Sequence, residues 1–197
     1  MPDNDWSQIL ARRLFEQRIV QLHGPMDDQL SMRVSAELMT LDAEGDDAVT
    51  LRIDSGQGSL AVALTLMDVV ELLGVPVRAL GMGQLGAAAI GVLAVCSHRA
   101  ALPSTRFTLR EPTTQAEVHA RNVAQWAELH AGERERFCAR VAAAVGQPAS
   151  VVAADMASGR FLGAPEAMTY GLLDEVCGPE AEIHHMPGPP IGFRPRR

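Results

Sequence analysis

Cleavage of an acyl bond requires a hydroxyl or thiol within hydrogen-bond reach of a base, and a third group that orients the base. Candidate nucleophiles are Ser55, Ser59, Ser97 and Cys96, and one imidazole, His98, directly follows Ser97. Ser55 and Ser59 bracket the run Ser-Gly-Gln-Gly-Ser, where hydroxyls typically serve turn and helix-cap hydrogen bonds. Ser97-His98 closes an Ala-rich apolar run, so no triad is expected from these residues. Metal chemistry has no better footing. The dipeptide His184-His185 offers too few ligands for a specific site, and Cys96, Cys138 and Cys177 lack any Cys-x-x-Cys or Cys/His spacing. They read as buried free thiols, and neither a metal nor a cofactor is expected. His119 and His130 fall on a long helical stretch as surface or interface residues, while His23 ends a strand with no partner inferable from sequence.

Composition narrows the function classes further. The chain has a formal net charge of -7, and its only local basic cluster is Arg194, Arg196 and Arg197, so no field attracts a nucleic-acid backbone. All 17 basic residues are arginine. The N-terminal run MPDNDWSQ is acidic and polar, and no apolar run reaches membrane-spanning length. A cytoplasmic protein without nucleic-acid or membrane partners is expected. With 47% hydrophobic, 21% charged and only 4% aromatic residues, the chain should fold around an aliphatic core of Ala, Val, Leu and Met.

The elements that would position any site alternate between β-rich and amphipathic runs, which predicts an α/β fold. Residues 18–24 read as a strand, followed by a helix from the Asp27-Asp28 pair to Leu41. A strand over 49–54, a helix over 60–73, a strand over 77–83 and a buried helix over 87–95 come next. Residues 99–109 form two short strands around Pro103-Ser104. One long helix is predicted over 117–145, stopped by Gly146-Gln147-Pro148, with an apolar stripe suited to another subunit. One domain is expected over 1–178, with an extended Pro- and Gly-rich tail over 179–197.

Five ordered stretches resemble the ClpP family of self-compartmentalising serine peptidases. RIVQLHGPMDD (18–28) is similar to its opening strand and turn, IDSGQGS (53–59) to I-N-S-P-G-G-S, and GQLGAAAIG (83–91) to the nucleophile turn G-Q-A-A-S-M-G. RFTLREP (106–112) resembles the histidine-bearing strand R-x-M-I-H-Q-P, and RFLGAPEAMTYGLLD (160–174) resembles R-F-x-S-A-x-E-A-x-x-Y-G-L-I-D. EVHAR (117–121) falls in the family's handle helix. The resemblance implies a ClpP/crotonase-like ββα spiral with a projecting handle helix, assembled into rings that enclose a chamber.

Carried over residue by residue, the family's serine falls on Ala87, its histidine on Arg110 and its aspartate on Gly159. A methyl group cannot attack, a guanidinium holds its proton near neutrality, and glycine orients nothing. The oxyanion-hole positions fall on Gln57, Gly58 and Ala88, where backbone N–H donors can survive the changes. The expectation is a catalytically inactive subunit that forms rings with itself or with a catalytic ClpP paralogue, and that is approached by a Clp unfoldase. A crotonase-like acyl-CoA enzyme and a free-standing scaffold are the alternatives. Two departures bear on assembly: only Thr-Thr-Gln-Ala separates Pro112 from Glu117, where the family has a longer strand, and the N-terminal segment is short. Ile191-Gly192-Phe193 resembles the loop by which Clp unfoldases dock, so the tail is a candidate docking segment.

Overall fold

A computed structural model describes residues 3–114 and 119–178. In chain order these form α1 (Asp3–Glu16), β1 (Ile19–His23), α2 (Asp28–Glu44), β2 (Val49–Ser55), α3 (Leu60–Leu72), β3 (Val77–Leu85) and α4 (Ala87–Ala94). Then follow β4 (His98–Ala101), β5 (Arg106–Leu109), α5 (Val123–Val145), α6 (Ala149–Ser158), β6 (Arg160–Gly163), α7 (Ala164–Tyr170) and β7 (Glu175–Val176). The expected α/β alternation is present from β1 to β5. The long helix begins later than the 117 expected: Ala120–Asn122 form a 3-10 turn before α5. The Asn122 N–H bonds the His119 carbonyl at 2.8 Å, an i→i+3 turn that comes before the α-helical ladder, and upstream Thr113 is held by backbone bonds to Gly58 and Leu60. Glu117 and Val118 lie outside the described residues.

Five strands, in the order β1-β2-β3-β4-β7, pair in parallel. β5 adds in parallel to the end of β3 and pairs antiparallel with β6. Alternation puts Leu22, Leu51, Ile53 and Ala79 into the core, while Gln21, Arg52 and Arg78 point to the opposite face. Helices α2, α3 and α4 cover the apolar face, and α4 is buried on every side, as its all-apolar sequence requires. The C-terminal half of α5 joins this core through Phe137, Val141, Ala142 and Val145, whereas Val123 and Leu129 in its first half are exposed. Gly91 of α4 is what lets α5 approach: a Cβ there would overlap the Phe137 ring.

Local chemistry sets the element ends. Asp27 caps α2 by accepting the Leu30 N–H at 2.8 Å, as its position before the apolar run predicts. At the other end of α2, Arg18 adopts a left-handed φ of 57° and donates to the carbonyls of Leu41 and Gly45 at 2.9 and 3.1 Å. A non-glycine residue is rare in that conformation, and here the guanidinium bonds to the helix C-terminus hold it.

Candidate functional site

Three chain reversals bring the sequence-selected positions to one end of the sheet. β2 runs into the turn Gly56–Gly58, β3 runs into Gly86 and the start of α4, and β5 runs into Arg110. The Gly86 N–H donates to the Ser55 carbonyl at 2.8 Å, and a Cβ on Gly86 would overlap the Gly56 carbonyl. Gly58 is equally confined, since a Cβ would lie 2.7 Å from those of Met26 and Ala88. The glycine-rich runs of both segments thus have one physical cause, the close approach of two backbones. Ala87 and Ala88 open α4 on this contact, where the helix start has no side-chain cap.

Arg110 enters the same place, its Nη2 donating to the Gly56 carbonyl at 2.8 Å. Glu111 does not pair with it but receives Arg134 at 3.3 Å. Gly159 arrives from the other side: it ends α6 in the left-handed conformation with φ 74°, and the antiparallel rung Leu109↔Arg160 sets it beside Arg110. Ala87, Arg110, Gly159, Gln57, Gly58 and Ala88 therefore gather around the ends of β2, β3 and β5. The one charged side chain in that group, Arg110, is a cation bonded to a carbonyl.

The other candidate nucleophiles are spent on structure. Ser55, 2% exposed, donates to the Gln57 carbonyl at 3.0 Å, and Ser59 accepts the Val62 N–H at 3.2 Å as the cap of α3. Ser97 donates to the Val77 carbonyl at 2.8 Å, away from His98, which lies 3.3 Å from Glu175. The Cys96 thiol is buried and bonds the Val92 carbonyl, and desolvation pushes its pKa up to about 12, so it holds its proton at neutral pH. Cys138 and Cys177 are half-buried, not fully buried as the sequence suggested, and burial raises both thiols as well. Among the described residues no three His, Cys, Asp or Glu side chains assemble to hold a metal ion. His184, His185, Ile191, Gly192 and Phe193 lie outside the described residues.

Two clusters were invisible in the sequence. His23 faces Asp54 across neighbouring strands at 3.4 Å, because parallel register places the two residues side by side. Asp155 of α6 accepts both the Tyr170 hydroxyl, at 2.9 Å, and Arg160, at 3.1 Å, with the guanidinium over the Tyr170 ring at 5.3 Å. Beside the Gly56–Gly58 turn there is also a cleft of about 540 Å³ walled by Asp27, Asp28, Thr113, Trp126, His130 and Glu133. Trp126 and His130 stack at 5.0 Å, and the His130 ring meets the Thr114 hydroxyl at 3.1 Å. Backbone bridges close the turn on both sides, Met26 with Gly58 and Ser59 with Thr113. They engage the carbonyls of Gln57 and Gly58 and the N–H groups of Ser59 and Leu60.

The family model described as Clp protease matches residues 2–180. The chain belongs to the Clp protease family. Clp protease relatives run along nearly the whole of it: "ATP-dependent Clp protease proteolytic subunit 3" of Rhodococcus jostii is 32% identical over 199 residues, covering 98% of each chain. "ATP-dependent Clp protease proteolytic subunit 2" of Thermobifida fusca is 33% identical over 171 residues, 84% of this chain and 83% of that relative. Among solved structures, a ClpP1 mutant from Listeria monocytogenes superposes with a TM-score of 0.77 at 25% identity, covering 85% of this chain and 95% of the other. The ClpP resemblance read from five short motifs thus holds at the level of family and fold.

Proposed function

We propose that this chain is a catalytically silent subunit of a Clp-type proteolytic assembly, acting through ring geometry and docking. The observation that carries the proposal is the group at the strand ends: a methyl on Ala87, a guanidinium on Arg110 bonded to the Gly56 carbonyl, and no side chain on Gly159. Taken as the positions of nucleophile, base and orienting acid, these residues supply neither an attacking oxygen nor an acceptor for its proton. Ser59 and Cys96, the neighbours that could compensate, are engaged as a helix cap and a buried protonated thiol. The closed backbone bridges at Gly58 and Ser59 favour the same reading, because an extended peptide finds those groups already bonded.

Ring formation is supported by the sheet face opposite the helices, which the described residues leave partly exposed. Parallel sheets are nearly always covered on both faces, yet here Gln21, His23 and Arg78 are exposed opposite the helical layer. A neighbouring subunit would complete the second face, and the exposed Val123 and Leu129 of α5 would meet another. A fluorophosphonate serine probe should leave the purified chain unlabelled, whereas a labelled stoichiometric adduct at any residue overturns the proposal. Native mass spectrometry should show rings of this chain alone or mixed with a catalytic subunit from the same cell. A strict monomer under both conditions removes the assembly role.

A further inference from the structure

The exposed half of α5 carries a stripe whose chemistry is arranged about its own centre. Gln125, Glu128, Gly132, Arg136 and Ala139 fall within about 80° of the helix surface at 3.6 residues per turn, on the side away from Phe137 and Val141. Gln125, Glu128, Arg136 and Ala139 are exposed, as is Leu129 at 60%. A recess of about 870 Å³ runs along this side, with Gln125, Glu128, Leu129, Gly132 and Arg136 among its walls. The polar side chains of α5 that bond elsewhere in the protomer are those of His130, Arg134 and Arg140, and neither Glu128 nor Arg136 is among them.

Gly132 stands at the middle of this stripe, and its own protomer gives no reason for it. Glycine weakens a helix interior; at Gly86 and Gly91 a Cβ would collide with a neighbour, whereas at Gly132 it meets nothing within 4 Å. A close approach from outside the protomer accounts for it. Glu128 and Arg136 lie four residues to either side, about 6 Å along the axis at 1.5 Å per residue. With a second α5 laid antiparallel across Gly132, two-fold symmetry sets Glu128 of each copy level with Arg136 of the other, and Leu129 against the Glu135 stem. Parallel packing about the same point would set Glu128 on Glu128 and Arg136 on Arg136, so charge selects the antiparallel arrangement.

We propose that two copies of this chain pair through α5 in a two-fold contact centred on Gly132, with reciprocal Glu128–Arg136 ion pairs across the axis. The inference rests on the reading of α5 as an assembly surface and stands whether or not the triad positions are inert. A contact of this symmetry joins copies two by two, so it doubles whatever assembly the other faces build.

Native mass spectrometry of the full chain at two ionic strengths tests the pairing. Glu128→Arg or Arg136→Glu alone should halve the mass of the assembly or weaken pairing about tenfold, one charged contact being roughly such a factor, and rising salt should act in the same direction. The exchange Glu128→Arg/Arg136→Glu should restore the wild-type mass, because it rebuilds the same pairs with their signs reversed. Gly132→Leu should also halve the mass while leaving the protomer's urea midpoint unchanged or higher, since leucine favours a helix and meets open space there. A midpoint that falls would show that Gly132 serves its own protomer, and overturns the proposal. Wild-type mass in both single reversals leaves this face to another occupant and overturns the pairing while the ring reading stands, as does an exchange that fails to restore the mass. A wild-type chain that is strictly monomeric removes both.

Discussion

At the residue scale the decisive facts are what side chains lack and which ones were already committed elsewhere. Ser59 shows the second kind: its hydroxyl is a helix cap, not a nucleophile, and Ser59→Ala should cost about 1 kcal/mol in urea denaturation without affecting any hydrolytic background. That role was legible in the sequence, because a serine directly before an apolar run is where a cap belongs. Tyr170 shows the opposite case. Nothing in its sequence neighbourhood points to Asp155, yet burial, followed by the hydrogen bond to Asp155 and its charge, raises the phenol to about 12. A folded-state value above the unfolded one means that this contribution is fully present below pH 10 and is lost as pH rises through about 12. Tyr170 is the sole tyrosine, so an ultraviolet titration should show one phenol ionising near pH 12 in the folded protein. A midpoint near 10 under native conditions would contradict the Asp155 contact.

Among the elements, α5 shows how far periodicity reaches. Its apolar stripe marked a helix, but the stripe does not say which half is buried. The C-terminal half packs because Gly91 opens a recess in α4 for Phe137, which is 1% exposed. Phe137→Ala should therefore cost about 3–5 kcal/mol, read from the shift in denaturation midpoint, whereas Leu129→Ala in the exposed half should shift the monomer's midpoint little. A small effect of Phe137→Ala would mean that α5 is not anchored there. The elements that the residue pattern did not assign, α1, α6, β6, α7 and β7, are short, polar or both. The four residues of β6 and the two of β7 gain strand character only from β5 and β4. No local period can be read from segments of that length.

For the whole molecule, one arginine joins the β4–β7 and β5–β6 pairings in holding the C-terminal part onto the sheet. Arg99, on β4, donates to the carbonyls of Ala144 and Gly171 at 3.0 and 2.9 Å and pairs with Asp174. The side-chain hydrogen bond from Arg99 holds the Asp174 carboxyl below its ordinary value, against the opposing effect of burial. A depressed carboxyl contributes stability above its unfolded value and loses it as pH falls through the lower folded one. The stability gap between wild type and Asp174→Asn should thus be full at neutral pH and close only below about pH 4; a gap independent of acid would show that the carboxylate charge is not what ties β7 down. The sequence by itself determined the family, the alternation from β1 to β5, and the residue types at Ala87, Arg110 and Gly159, since motif order, side-chain period and chemical identity are all properties of the chain. Only the tertiary structure decided that Arg110 bonds the Gly56 carbonyl and not Glu111, that Asp155 joins Tyr170 and Arg160, and that Trp126 and His130 stack beside the Gly56–Gly58 turn. Those depend on strand register and helix packing, which bring together residues far apart in sequence and leave no trace in local pattern.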